Sequence, residues 1–385
     1  MKIPVIVSAV RTPIAKKGGA LKDLHPSKYG GLVIQEAIRR AAINRDEIDD
    51  VIFGNCLSGG GNIARLSLLE AGLSVDIPGL TIDRQCGSGI NSVVLGAQAI
   101  LSGEGIIVAG GTESMTHAPY LLGRSPRAYD QAPPRFINRQ LSPDAIGNPP
   151  MGLTAENLAE KYEISREEQD QFALRSQEKM KQAIDTRCFK DQILPIEIQN
   201  SKGQVHVFDT DEHPRHTTLE ALSKLQPAFK ENGTVTAGNS SGINDGASAV
   251  VMMSLEEAEK RGLDPLGKVV GWAVAGVDPN IMGIGPVPAI KKVLAKTGLS
   301  LKDLDLIEIN EAFAAQVIAC HRELNFDWEK VNVNGGAIAH GHPIAATGTA
   351  LVTKLLYELK DRNLKRGLVT ACIGGGQGIA LILER

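Results

Sequence analysis

Two cysteines and two histidines of this 385-residue chain stand at junctions crowded with glycine. Cys86 lies in TIDRQCGSG (81–89), Cys372 in TACIGGGQGIALIL (370–383), and His340 and His342 in GGAIAHGHPIAATG (335–348). Cysteine with histidine is the minimal pair for a thiolate nucleophile. A second cysteine is redundant for simple hydrolysis but useful where another proton must be moved. Cys86 falls between an apolar run and a helix expected to begin near Gly87. A helix N-terminus offers free N–H groups and a positive dipole end, which lower a thiol pKa. Taken alone, Cys86 fits an activated thiol or a small buried cysteine. The three glycines after Cys372 can present N–H groups to an oxyanion, or can form a hairpin around a buried thiol. A phosphate-binding loop is excluded there, because no Lys-Ser/Thr follows and the next text reads as strand. Asn310, in EINEAFAAQ (308–316), marks a strand-to-helix junction. It reads as a helix cap by default, and otherwise as a holder of a water or a substrate oxygen.

The elements that must position these residues alternate. VIVSAV (5–10) reads as a buried strand, Tyr29 to Ala42 as a helix, VIFGN (51–55) as a strand, Ile90 to Leu101 as a helix and IIVAGG (106–111) as a strand. That order predicts a layered α/β domain. Residues 118–150, with APPRF and GNPP, read as loops, and 154–184 as helical. Ser165 with Glu168 matches a capping box, which predicts a helix start near Ser165. Residues 191–240 are mixed and turn-rich, and DGASAVVMMS (245–254) returns to strand. The reading is a first half of residues 1–117 plus 243–265, an inserted lobe of helices and loops at 118–242, and a second half at 266–385. A loose internal repeat supports two similar halves. EAIRRAAINRDEIDDVIFGN (36–55) parallels KKVLAKTGLSLKDLDLIEIN (291–310), and the text of 86–111 parallels that of 342–376.

Composition narrows the partners. Lys+Arg number 41 against Asp+Glu 44, a net charge of −3. No basic excess points to nucleic acid or an anionic membrane, so an acidic ligand would need a local patch. No run approaches 18 apolar residues, and the N-terminus reads as strand rather than secretory signal, so membrane insertion and export are not expected. Five widely spaced cysteines fit a reduced cytoplasmic protein better than a disulfide framework. No Cys-x-x-Cys or His-x-x-x-His spacing suggests a metal site.

Taken together, the motifs resemble the thiolase family over essentially the whole chain. They are VSAVRTP (7–13), DRQCGSG (83–89), GGTESM (110–115), MGLTAENLAEKY (151–162), ISREEQDQFALRSQ (164–177), GTVTAGNSSGINDGA (233–247), GIGPVPA (283–289), NEAFA (310–314), NGGAIAHGHPIAATG (334–348) and CIGGGQG (372–378), in the family's order. The resemblance implies a five-layered αβαβα fold of two similar halves with an inserted loop domain. It implies acyl transfer between coenzyme A thioesters, with acetyl-CoA, 3-ketoacyl-CoA and free CoA as partners, no permanently bound cofactor, and a homodimer or homotetramer.

By the same resemblance, Cys86 matches the nucleophile that carries the acyl group. His342, directly before Pro343, matches the working histidine; the position of His340 usually holds an aliphatic residue. Cys372 matches the second cysteine, which exchanges the α-proton of the other acetyl group. One oxyanion is met by His342 and a water held on Asn310, the other by the N–H groups of Cys86 and Gly374; each such donor is typically worth about 3–4 kcal/mol of barrier. Ser241 and Ala237 match contacts to the pantetheine. Arg215, in a loop one residue shorter than the common biosynthetic pattern, matches an arginine near the nucleotide. Met151 and Phe313 match the acyl pocket. Pro150 stands where short-chain biosynthetic members carry His, and Gln377 where degradative members often carry Gln. The expected activity is acetyl-CoA C-acetyltransferase, with a degradative 3-ketoacyl-CoA thiolase of fatty-acid β-oxidation as the alternative. A ketoacyl synthase-like enzyme would show Cys-His-His. A catalytically silent binding subunit is disfavoured by the intact Cys86, His342, Cys372 and Asn310.

Overall fold

The computed structural model describes residues 2–58, 60–125, 127, 129, 133–199 and 203–385. In the first half the chain forms β1 (Pro4–Arg11), β2 (Ala15–Lys16), α1 (Pro26–Arg40), β3 (Asp50–Gly54), α2 (Ile63–Glu70), β4 (Gly79–Ile82), α3 (Ser88–Ser102) and β5 (Ile107–Ser114). There follow α4 (Met151–Lys161), α5 (Arg166–Asp185), the hairpin strands β6 (Ile196–Gln199) and β7 (Val205–Phe208), and α6 (Leu219–Ser223). β8 (Asn244–Ser254) and α7 (Leu255–Lys260) return to the first half. The second half runs β9 (Gly267–Gly276), α8 (Pro286–Thr297), β10 (Leu306–Ile309), α9 (Ala314–Leu324), α10 (Ala337–His340), α11 (Ile344–Asp361), β11 (Arg366–Ile373) and β12 (Gln377–Glu384).

The main sheet has the order β10-β11-β12-β9-β1-β8-β5-β3-β4, with β2 beside β8. Among the described residues, its halves pair through Val5↔Lys268 and Ile6↔Gly267. Alternation along the strands divides the apolar side chains between layers. Val51 and Phe53 pack with Val33, Ile34 and Leu68 of α1 and α2, whereas Ile52 packs centrally. Leu368, Ala380 and Ile382 pack with Ile290 and Val317 of α8 and α9, whereas Val369, Ile379 and Leu381 join the same central cluster as Ile52. That central cluster holds α3 and α11, through Ile90, Val93, Leu351 and Leu355. The result is five layers, αβαβα, with the central helix pair buried between two sheet faces.

The repeat in the sequence is a repeat in the fold. α1, a 3-10 turn (Arg45–Glu47) and β3 correspond to α8, a 3-10 turn (Leu301–Asp303) and β10. Both turns carry a capping box, Asn44 with Glu47 and Ser300 with Asp303. The central helices cross very closely: a Cβ on Gly89 would lie 2.6 Å from the Thr349 nitrogen, and one on Gly348 would collide with the Ile90 nitrogen. The same first turn of α3 meets the Ala345 carbonyl of α11. This crossing sets the N-termini of the two helices side by side.

The segment between β5 and β8 is mostly helix and loop, as expected, and the Ser165–Glu168 capping box is present at α5. The β6–β7 hairpin is additional. Its signal was the alternation of Ile196 and Ile198, both buried, with polar neighbours. In the 118–150 stretch read as loop, residues 126, 128 and 130–132 lie outside the described residues, as do 200–202 in the turn-rich stretch.

Candidate active site

Cys86 sits in a 3-10 turn, Gln85–Gly87, that leads directly into α3. Gln85 holds φ at +44°, a left-handed conformation uncommon for a residue with a side chain. Asp83 Oδ1 accepts from the Gln85 N–H at 2.8 Å, and the Gln85 carbonyl accepts from Ser88 Oγ at 2.7 Å. A Cβ on Gly87 would lie 2.6 Å from Ile373 Cδ1, so the turn is pressed against the end of β11. Burial there pushes the Cys86 thiol up to about 11; the backbone N–H groups of Gly374 and of Cys86 itself pull the other way. This corrects the expectation from the helix N-terminus, which gave a lowered thiol. Desolvation outweighs the donors. The resting group is therefore a thiol that needs a base.

His342 can be that base. It lies beyond Gly341, just before α11, which starts at Ile344 rather than near Thr347. Thr347 Oγ1 donates to the Pro343 carbonyl at 2.9 Å, so its oxygen accepts from His342 Nδ1–H at 2.7 Å. That leaves Nε2 with the lone pair, facing Asn310 Nδ2 at 3.3 Å. Burial pushes the imidazole down to about 4, so it is neutral near pH 7.

Asn310 follows β10, and its N–H donates to the Thr370 carbonyl at 3.0 Å. It does not cap α9, whose cap position is Phe313. Its Oδ1 is buried with no hydrogen-bond partner among the described residues. Cys372 is the penultimate residue of β11, opposite Gly378, and is buried with Ala155, Val235, Met282, Ala312 and Phe313. Burial first, then the neighbouring Cys86 and Cys320, hold its thiol well above the usual range. Ile373, the residue after Cys372, lies against Gly87, the residue after Cys86, so the two cysteine-bearing segments meet.

The residues expected to contact substrate are joined by contacts that reach the Cys372 cluster. Arg215 donates to the Ala237 carbonyl at 2.8 Å, and its own N–H is held by Gln177 Oε1 at 3.1 Å. The Ser241 N–H donates to the Ala312 carbonyl at 3.0 Å, and Ser240 bridges to Phe313. Phe313 and Met151 pack against Cys372, and a Cβ on Gly374 would lie 3.4 Å from Met151 Sδ. The arrangement can activate a thiol, cradle an oxyanion on backbone N–H groups and move a second proton beside apolar side chains.

Residues 4–256 match the thiolase N-terminal domain and residues 263–385 the thiolase C-terminal domain. The chain belongs to the thiolase family. It is an enzyme of the acyltransferase class. It is 50% identical to an acetyl-CoA acetyltransferase of Syntrophomonas wolfei, over 99% of this chain and 98% of that one. The crystal structure of the Bacillus anthracis acetyl-CoA acetyltransferase is similar with a TM-score of 0.93 and 46% identity, covering 100% of this chain and 99% of that one. The human mitochondrial 3-ketoacyl-CoA thiolase in complex with CoA is similar with a TM-score of 0.92 and 44% identity, covering 100% and 98%.

Several supports of this thiolase site escaped the sequence reading. Asn244 Oδ1 accepts from the His342 N–H at 3.0 Å across 98 positions, and no local pattern marks it. Thr347 is five residues past His342, and its place in the first turn of α11 was the one available hint. Glu311, the residue after Asn310, accepts from Ser176 Oγ at 2.7 Å, Asn332 Nδ2 at 2.7 Å and the Ile338 N–H at 3.2 Å. It thereby ties the Asn310 junction to the loop that carries the histidines.

Proposed function

We propose that this thiolase is an acetyl-CoA C-acetyltransferase that condenses two acetyl-CoA into acetoacetyl-CoA plus CoA, and runs the reverse thiolysis, through an acyl group on Cys86. The observation that carries this reading is the packing of the Cys86 turn, through Gly87 and Gln85, against Ile373 and Gly374, the two residues that follow the buried Cys372. The neutral His342, with its lone pair on Nε2, completes it.

The steps follow from these states. His342 takes the Cys86 proton as the thiolate attacks the acetyl carbonyl, and the oxyanion forms on the Cys86 and Gly374 N–H groups. CoA leaves as thiolate and takes a proton from Cys372. The Cys372 thiolate then removes an α-proton of the second acetyl-CoA, and the enolate is met by protonated His342 and a water held on Asn310 Oδ1. The enolate attacks acetyl-Cys86. Cys86 is expelled and recovers its proton from His342, which restores all three groups. In thiolysis, the raised Cys372 thiol protonates the leaving enolate. Arg215, Ala237 and Ser241 serve the CoA chain, and Met151 and Phe313 the acyl group.

A degradative 3-ketoacyl-CoA thiolase is the second reading. It is favoured by the apolar cluster that Ala155, Val235, Met282, Phe313 and Met151 form with Cys372. The division into halves at 1–117 with 243–265 and at 266–385, with 118–242 inserted, belongs to the same proposal. So does a homo-oligomer: edge strand β4 exposes Leu80 at 45%, near Leu66, Leu69 and Val75, and an apolar edge of this kind favours pairing with another copy. Five unpaired thiols suit a reducing cytoplasm. No helix of the described residues is long and apolar enough to cross a membrane. Thiolysis of C4 to C16 3-ketoacyl-CoAs with free CoA tests the activity. Fastest turnover at C4 supports the acetyltransferase, a maximum at longer chains supports the degradative enzyme, and no turnover at any length overturns both.

A further inference from the structure

His340 has no task in the steps above. It is 2% exposed, at the end of α10 and two residues before His342. Its Nδ1 lies 2.8 Å from the Gly341 carbonyl oxygen, so Nδ1 carries the proton and donates; Nε2 has no partner among the described residues. The other end of that same peptide unit is the His342 N–H, which donates to Asn244 Oδ1 at 3.0 Å. One peptide plane is thus held on both sides, its carbonyl by His340 and its N–H by Asn244.

The plane needs holding. Gly341 has φ +98° and ψ 170°, a region open in practice to glycine alone, and glycine leaves the rotation of the next peptide loosely determined. A Cβ there would collide with the Asn244 side chain, so a stiffer residue cannot replace it. A change of ψ at Gly341 swings this plane and, with it, the Cα from which the His342 ring projects toward Asn310. Pro343 restrains His342 from the other side. An aliphatic side chain at 340 could fill the space but could not donate.

We propose that His340 is a positioning residue, which fixes the Gly341–His342 peptide plane by donating from Nδ1 and so aims the His342 imidazole. This rests on the reading of His342 as the base. The test compares His340→Leu, His340→Gln and His340→Asn, with His342→Asn as reference, in acetoacetyl-CoA thiolysis and in alkylation of Cys86 by iodoacetamide. Asparagine places an amide N–H where Nδ1–H stands, whereas glutamine places it nearer the Nε2 position. The Leu and Gln variants are expected to lose about tenfold in kcat, less than the hundredfold that a full ångström of misplacement can cost. KM should stay within about twofold, and Cys86 alkylation should slow by the same factor as kcat. His340→Asn should keep at least about half of the wild-type kcat. A folded His340→Leu with wild-type kcat, an Asn variant as slow as Gln, or a loss confined to KM would each overturn the positioning role. If His340→Leu does not fold, the Asn–Gln contrast in kcat decides alone. Full activity in His342→Asn would instead remove the base assignment beneath the proposal.

Discussion

Strands β3 and β5 pair in parallel with Gly54 beside Gly111, and β10 and β11 pair in parallel with Ile309 beside Thr370. One residue past β3 and β10 stand Asn55 and Asn310; two residues past Gly111 and Thr370 stand Glu113 and Cys372. The two halves therefore carry one framework with different side chains at matching places. In the first half, Glu113 accepts from the Cys56 N–H at 3.0 Å, the Leu57 N–H at 3.1 Å, the Ser58 N–H at 3.2 Å and Ser58 Oγ at 2.9 Å. Burial raises its carboxyl while these donors oppose the rise. Asn55 is spent on the same cluster, through Ser58 Oγ at 3.0 Å and the Thr112 carbonyl at 2.8 Å. In the second half, Asn310 turns to His342 and Cys372 stands among apolar side chains. The same strand end is an anchor where donors converge, and a reagent where they do not.

The first way to break that comparison is at the reagent the first half does supply. Cys86→Ala should abolish acylation outright and leave the fold intact, since the smaller side chain enters the same turn. Mass spectrometry after incubation with acetyl-CoA should find an added acetyl group on the wild type only; acetylation of the variant at the wild-type rate would sink the assignment.

Next is the position matching Glu113. Cys372→Ser keeps the shape but replaces the thiol with a far weaker acid. Thiolysis should fall about 10²–10⁴-fold, the range of a lost general acid–base. Acetylation of Cys86 should persist, while exchange of acetyl-CoA α-protons with deuterated water should stop. Retained exchange would mean that another group is the base. Stability should fall by about 1–3 kcal/mol, the cost of burying a hydroxyl among apolar side chains.

Glu113→Ala should do the reverse. It strips acceptors from three backbone N–H groups in a buried turn, at a cost of about 3 kcal/mol or more. The urea midpoint reports this directly. A midpoint unchanged from wild type would mean that Glu113 anchors nothing.

The smallest effect expected is one of pH. The folded His342 value of about 4 lies below the usual 6.5, because burial disfavours the charged ring. The unfolded chain thus binds more protons between those values. This contribution is complete above pH 6.5 and is lost as pH falls toward 4, by up to about 3 kcal/mol. His342→Asn should flatten that part of the urea-midpoint profile between pH 6.5 and 4.5. In the wild type, the acid limb of kcat/KM should lie below pH 6.5; a limb at or above it would contradict a buried neutral base.

Much of this molecule is legible from local pattern. Apolar alternation and helical period mark β1, α1, β3, α3 and β5, because each must bury one face or stripe. The capping box at Ser165 and Glu168 closes within one turn, so four residues suffice to announce it. Cys86, His342 and Cys372 stand out because glycines must flank side chains that backbone approaches so closely. What required the tertiary structure was every property set by long-range neighbours. Whether Asn310 caps a helix or faces His342 depends on a loop 32 residues away. The grip of Asn244 on the His342 N–H spans 98 residues. The sign of the Cys86 shift is the plainest case: the helix N-terminus visible in the sequence lowers a thiol, while burial beneath Ile373 and the Gly374 turn raises it further. Residue type and local conformation are written along the chain. Desolvation depends on which distant segments exclude the water, and only the fold decides that.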